Sequence, residues 1–204
     1  KSMFYDAPAF DSDIGSWDTS SVITMQTMFK NSIAFNQDIG DWDVSNVTDM
    51  KRMFQNADAF NQFIGNWDVS NVTDMSGMFM YAYNYNQDLS DWDVNNVTTF
   101  ANMFSGDNQS SGSNFNNGGL PLTWECCDSA TDLENMFSQA RKFNQAVDSW
   151  NMSNVTDLNG MFSIAYAFNQ DLSNWDISNA TNLSLMFSQA RSFNNGDTAL
   201  TYNT

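Results

Sequence analysis

A repeat of 25 residues runs through the whole chain and restricts it to a stack of similar coils. The pair Met-Phe recurs every 25 residues from Met3-Phe4 to Met186-Phe187, apart from one step of 33. Tryptophan keeps nearly the same interval, and its positions are Trp17, Trp42, Trp67, Trp92, Trp124, Trp150 and Trp175. Repeats of this length are typical of arrays in which each unit packs only against its neighbours. The sequence therefore predicts a single repeat domain over residues 1–204, with about seven coils.

Each coil contains two different hydrophobic patterns. Residues 67–69 alternate apolar and polar side chains, which predicts a short, half-buried β-strand. The apolar residues from Val72 to Ala82 follow at intervals of 3, 4 and 3, which predicts about three turns of helix. Asn71 and Asp74 precede that stretch with the spacing of a helix N-cap and an acid three residues later. We therefore predict an α/β fold, with one short parallel strand and one helix per coil.

The seven tryptophans are predicted to form the structural core together with the Met-Phe pairs. No single coil can bury these side chains, whereas stacking shields them between neighbouring coils. An aromatic stripe for ligand binding is the alternative interpretation. Asparagines also recur at fixed positions, as at Asn61 and Asn86, and stacked amides can satisfy one another and the loop backbone.

Acidic residues flank the tryptophans on the side expected to face solvent. If Trp67 and Val69 point inward, Asn66, Asp68 and Ser70 point outward. The candidate binding residues of this face are Asp41, Asp43, Asp68, Asp91, Asp93, Glu125 and Asp176. Like charges about 5 Å apart repel by roughly 1–3 kcal/mol. Solvent and hydrogen bonds, bound cations, or a basic partner must relieve that repulsion.

Carboxylate pairs mark the candidate metal positions within this face. Asp41 and Asp43 flank one tryptophan, and Asp91 and Asp93 flank another. Calcium prefers carboxylate and amide oxygens, so Ca²⁺ is the candidate ion there. No calcium-loop signature is present, and no cofactor is predicted otherwise.

The charge balance excludes several classes of function. Seven Lys and Arg against 24 Asp and Glu give a net charge of −17, which argues against nucleic acid as a partner. No apolar run is long enough to span a bilayer, so no membrane insertion by this chain is predicted. The chain has no histidine, no nucleophile–base pair and no phosphate-binding loop, so no catalytic residues are predicted.

One segment departs from the repeat. Residues 105–123 are rich in Gly, Ser and Asn, and they predict a protruding insertion loop, with either a binding role or no role.

Cys126 takes the place of the buried valine of other coils, and Cys127 takes the place of the following serine. Adjacent strand residues face opposite ways, so two thiols are expected, with a vicinal or intermolecular disulfide as the alternatives.

The repeat unit has the pattern Trp-Asp-Val-Ser-Asn-Val-Thr-Asp-Met-x-x-Met-Phe, and it is carried almost intact by Trp42–Gln62 and Trp67–Gln87. This unit resembles the bacterial surface protein repeat of about 25 residues. That family is BspA-like and related to leucine-rich repeats, whose LxxLxLxxN strand is echoed by Ile64, Trp67, Val69 and Asn71. The resemblance implies a leucine-rich-repeat-like solenoid in a secreted or surface protein. It also implies a role in adhesion or binding, and it brings no catalytic residues.

Together these features predict a non-catalytic, extracellular or cell-surface module that binds a protein or glycan surface ligand through its acidic face. The first and last coils lack polar capping repeats, so neighbouring copies of the chain are an alternative partner. In that case the protein would be a structural subunit that stacks end to end into a filament. A polysaccharide-acting enzyme is the third reading, because closely paired carboxylates suit a retaining glycosidase.

Overall fold

In the computed structural model, which describes residues 2–107, 112–124 and 126–198, successive coils stack through regularly spaced backbone hydrogen bonds. In the coil at 75–82, alternate N–H groups donate to the next coil. Those of Met75, Gly77 and Phe79 reach carbonyls 24 residues ahead at 3.2, 2.8 and 2.9 Å. The intervening N–H groups close tight turns, as Met78 does on the Met75 carbonyl at 3.1 Å. Each coil therefore uses half of these donors for itself and half for its neighbour.

The prediction of a helix in every coil is wrong. The helical elements within the described ranges are two 3₁₀ helices of three residues, Asn117–Gly119 and Asn195–Asp197. Residues 75–82 form two consecutive turns, with φ of +62° at Gly77 and +61° at Tyr81. A left-handed residue at every fourth position interrupts an α-helix, whereas a type II turn needs one at its third position. Intervals of 3 and 4 therefore fit these turns as well as they fit a helix.

The prediction of a parallel strand in every coil is also wrong, and with it the α/β, leucine-rich-repeat-like solenoid. Across the described part of the chain, parallel pairing is reduced to one residue per coil. These single bridges join Thr24, Asp49, Asp74, Thr99, Asp132, Asp157 and Asn182 in order. The segment around Trp67 forms turns instead, because the Trp67 N–H donates to Ile64 and the Val72 N–H donates to Val69. The fold is a stack of turn-rich coils.

The predicted helix cap has another use in these turns. The Asn71 side chain donates to the Ser45 carbonyl of the preceding coil at 2.8 Å. The Asp74 carboxylate accepts the Ser76 N–H at 2.8 Å, which fixes the start of the first turn. Both residues hold a turn in place, and neither begins a helix.

Two parallel columns of aromatic rings fill the interior. Phe79 lies 5.6 Å from both Phe54 and Phe104 in one column, measured between ring centroids. Phe54 also meets Phe60 of the second column at 4.0 Å. Fully burying a side chain of this size contributes roughly 1.5–3 kcal/mol, so these columns hold the coils together.

The tryptophans form a third column beside the rings. Trp42, Trp67, Trp92, Trp124, Trp150 and Trp175 are 1–4% exposed. The Trp67 indole N–H donates to the Ile39 carbonyl of the preceding coil at 3.1 Å, and its counterparts in most coils do the same. Trp17 is 39% exposed, because no coil within the described residues covers its outer side.

Asparagine amides form a ladder along one corner of the stack, and the predicted stacking of amides is confirmed. The Asn61 N–H donates to the Asn36 side-chain oxygen at 3.0 Å, and Asn86 repeats this bond with Asn61 at 2.9 Å. The ladder continues through Asn116, Asn144, Asn169 and Asn194. Each amide therefore satisfies a backbone donor of the next coil.

Much of the described part of the insertion lies inside the stack. Ser105, Ser113 and Asn117 are 3%, 3% and 0% exposed, whereas Leu120 is 50% exposed. The Asn117 side chain accepts the Leu89 N–H at 2.8 Å and donates to Ser90 and to the Pro121 carbonyl. The extra residues thus lengthen the perimeter of one coil and are anchored by a buried amide.

The expectation of two free thiols is wrong, because Cys126 and Cys127 form a disulfide with each other. Both side chains are buried, at 2% and 1% exposure. The Ala130 N–H donates to the Cys127 carbonyl, as the Val72 N–H does to Val69. Cys127 therefore takes the valine position, and Cys126 is an additional residue in this coil.

Whether substituting one glycine lowers or raises the unfolding free energy distinguishes turns from a helix. Gly77→Ala places a side chain at φ +62°, so we expect a loss of about 1–2 kcal/mol in unfolding free energy. In a helix the same change would add roughly 0.5–1 kcal/mol. Gly77→Asn is the control, because Asn102 and Asn135 adopt φ of +60° and +53° at the same repeat position. Urea unfolding measures both variants, and a more stable alanine variant would contradict the turn.

The Tyr85 hydroxyl is a second test of the interior. Tyr85 takes a phenylalanine position and is fully buried, and its hydroxyl has no hydrogen-bond partner among the described residues. Burial raises the pKa of this hydroxyl well above its ordinary value. Removing an unsatisfied buried group relieves a desolvation cost, so we expect Tyr85→Phe to stabilise the protein by about 1 kcal/mol. Tyr81→Phe, at a partly exposed position, should leave the unfolding midpoint unchanged.

Candidate binding face

The acidic face is the side of the stack formed by residues 13–20, 38–45, 63–70, 88–95, 146–153 and 171–178. Most apolar side chains within these segments are buried, with Trp17, Phe63 and Ala146 as the exposed exceptions, and most of the intervening polar ones are exposed or half-buried. The segments contain twelve Asp and no Lys or Arg. Glu125, a predicted member, lies outside the described residues.

An aspartate follows five of the seven tryptophans, and each of these aspartates is held by its own turn. The Asp43 carboxylate accepts the Ser45 N–H at 3.0 Å and the Ser45 hydroxyl at 2.6 Å. Asp68 makes the same two bonds with Ser70, at 3.1 and 2.6 Å. Asp93 and Asp176 each accept the N–H two residues ahead, at 3.1 and 3.0 Å. These carboxylates are exposed, and each has one oxygen occupied by a local donor.

Hydrogen bonds from serine favour the charged form of three aspartates that follow a tryptophan, Asp18, Asp43 and Asp176. The Ser45 hydroxyl, and then the Ser45 N–H, lower the pKa of Asp43 below its ordinary value of 3.8, although Asp18 on the preceding coil opposes the shift. Ser20 and Ser178 lower the pKa of Asp18 and Asp176 in the same way. The repulsion along the column is therefore met by serine donors and solvent.

Asp41 and Asp91 precede their tryptophans and are exposed. Asp41 lines an open cavity of about 350 Å³ with Asp13, Ser16 and Asp38. Asp91 and Asp93 line another of about 240 Å³, which reaches the long coil at Thr123 and Trp124. The acidic face thus carries shallow polar depressions between coils.

The four candidate metal ligands do not form one cluster. Asp41 and Asp43 lie on one coil, and Asp91 and Asp93 lie two coils further along. In the ranges that the structure describes, no three His, Cys, Asp or Glu side chains are close enough to hold an ion. The Ca²⁺ site stays a prediction from sequence.

Within the described residues, the basic side chains lie in the turn segments away from the acidic face. These residues are Lys30, Lys51, Arg52, Arg141, Lys142 and Arg191. Lys51 pairs with Asp74 at 3.6 Å. Arg141 and Arg191 stack against the Tyr166 ring, at 5.4 and 4.3 Å from its centroid. Positive charge is therefore separated from the acidic face.

A second column of aspartates lies along the stack, and it was not predicted as a column from the sequence. Asp49, Asp74, Asp132 and Asp157 are half-buried at the single backbone bridges. Each carboxylate accepts the N–H two residues ahead, at 2.8–3.0 Å. Their 25-residue period was visible in the sequence, but the helix interpretation gave them a capping role. Their function here is to shape the turns.

The fold and this face define a repeat array with equivalent acidic positions on successive coils. The sequence profile of the family described as "Mycoplasma protein of unknown function, DUF285" matches residues 1–117 and, in a second match, residues 111–204. The chain therefore belongs to the DUF285 family. Comparisons with curated proteins and with solved structures found no match. No helix in the described ranges is long and apolar enough to cross a membrane.

The serine bonds to the outer carboxylates predict a pH dependence. Because folding lowers the pKa of Asp43, its contribution to stability is present above the ordinary value of 3.8 and is lost as the pH falls through the lowered pKa. Ser45→Ala removes the hydroxyl donor, so the pKa of Asp43 should rise toward its ordinary value in an NMR titration. Asp176 is the internal control and should not move. An unchanged Asp43 would show that serine does not set its pKa.

Proposed function

We propose that the chain is a non-catalytic binding module, extracellular or on the cell surface, that adheres to a basic partner through the acidic face. The separation of charge is the observation that carries this proposal. The face has twelve Asp and no cation of its own, so its carboxylates are available to an external positive surface. A surface with this charge also steers a cationic partner during association.

The uniformity of the acidic positions favours binding over catalysis. Asp18, Asp43 and Asp68 sit in the same local turn with the same serine donors. Acid–base catalysis usually relies on neighbouring groups whose pKa values are pushed apart. Here the resolved shifts of Asp18, Asp43 and Asp176 all go downward from serine hydrogen bonds. Such an array supplies many equivalent weak contacts, which suits adhesion through multivalency.

The proposed surface location is inferred from the resemblance described above. The repeat pattern resembles BspA-like bacterial surface repeats, and membership of the DUF285 family is compatible with that relationship. A surface location would expose the acidic face to partners outside the cell. This part of the proposal depends on the resemblance alone.

A synthetic ten-lysine peptide tests the face directly. We expect it to bind, and raising NaCl should weaken binding because exposed charges are screened. Replacing Asp43, Asp68 and Asp93 by Asn should weaken binding about tenfold, at a few tenths to 1 kcal/mol per lost pair. Asn151 already makes the same turn contacts with Ser153, so the substitutions preserve the local structure. Fluorescence anisotropy measures the affinity.

The matched control changes the same charge on another side of the stack. Asp58→Asn, Asp107→Asn and Glu134→Gln lie outside the acidic face and also remove three negative charges. Equal losses in both triple variants would mean that net charge alone attracts the peptide, which contradicts a specific face. Sedimentation of the protein alone excludes self-association as the source of the signal.

A further inference from the structure

One outward position on the acidic face varies from coil to coil, and in one coil it carries an aromatic ring. Four coils place an aspartate four residues before the tryptophan, at Asp13, Asp38, Asp88 and Asp171. Each accepts the N–H two residues ahead, at 2.9, 3.0, 2.9 and 2.9 Å. The coil between Asp38 and Asp88 has Phe63 at this position, and the two remaining coils have Leu120 and Ala146. A phenyl ring therefore replaces a carboxylate that closes a turn elsewhere.

The Phe63 side chain is largely exposed to solvent. It is 45% exposed, although most phenylalanines of the array are buried. Its ring lies over its own turn, since a Cβ added to Gly65 would be 2.7 Å from two ring carbons. The ring is thus supported from below by backbone and presents its other side to solvent. The Gly65 N–H receives no side-chain acceptor from residue 63.

The surroundings of Phe63 are acidic. Asp38 and Asp88 occupy the same position on the two adjacent coils, and Asp68 lies on its own coil. Beside Asp38 opens the cavity of about 350 Å³ that Asp13 and Asp41 also line. Beyond Asp88, the long coil exposes Leu120, and the Pro121 carbonyl accepts the Ser90 hydroxyl at 2.7 Å. Isolated exposed apolar residues are common, but this one stands in a face without cations.

We propose that Phe63 anchors a Lys or Arg side chain of a basic, extended segment in the partner protein. The inference rests on the function proposed above and assigns one residue of the face to recognition. A cation over a phenyl face gains from the ring quadrupole, and its aliphatic stem covers the apolar ring. Asp38 and Asp88 supply counter-charges on either side. Leu120 offers a second apolar contact further along the same segment.

Phe63→Asp separates this anchor from plain electrostatics. The substitution introduces the aspartate that four other coils carry, including an acceptor for the Gly65 N–H, and makes the face more acidic. Charge attraction alone predicts equal or tighter binding of the ten-lysine peptide, whereas loss of the anchor predicts binding about two- to fivefold weaker. Phe63→Trp retains a ring and should restore wild-type affinity or better. The Phe63→Asp variant should also unfold at a higher urea concentration, because its carboxylate can accept the Gly65 N–H and close the turn as in the four other coils.

The outcomes distinguish the two proposals. Binding by Phe63→Asp that equals or exceeds wild type overturns the anchor and leaves the acidic face intact. Failure of the wild-type protein to bind the peptide overturns the proposed function itself. Displacement of the peptide by the neutral oligosaccharide maltohexaose from wild type, but not from Phe63→Asp, would assign the ring to glycan stacking and also overturn the anchor.

Discussion

Each coil of this protein is stable only because the next coil covers its aromatic rings and accepts its backbone donors. Phe79 packs on equivalent rings above and below at 5.6 Å, and its N–H donates to the Met103 carbonyl one coil further on. Ring stacking and backbone pairing share the same 25-residue period, so neither can shift without disrupting the other. The regular spacing of surface carboxylates is a consequence of this coupling.

The sequence predicted the period, the buried columns and the amide ladder, because side-chain identity alone carries these signals. It did not predict the backbone, because intervals of 3 and 4 are shared by a helix and by consecutive type II turns. Left-handed φ falls on Arg52, Tyr81 and Leu185 as well as on glycine, and side-chain preference does not mark such positions. The extra residue at Cys126 likewise concealed the true register of the cysteine pair.

The acidic side chains were predictable as exposed residues, since alternation around each tryptophan holds in turns as well as in strands. Their environment was not, because the bonds from Ser45 to Asp43 depend on a turn of known geometry. Phe63 was visible in the sequence as an aromatic residue at a position where four coils carry aspartate. Its meaning required the structure, which shows a ring supported by Gly65 and open to solvent.

The buried amide of the long coil has a counterpart elsewhere in the chain. Asn195 accepts the Leu172 N–H at 2.8 Å, as Asn117 accepts that of Leu89, and both residues begin the sequence Asn-Gly. The amide ladder passes through the long coil without interruption, from Asn86 to Asn116 to Asn144. The length of a coil's outer loop can therefore change without altering the packing of the interior. A lineage carrying this architecture can change what it displays outward, in length and in chemistry, while inheriting the same hydrophobic axis.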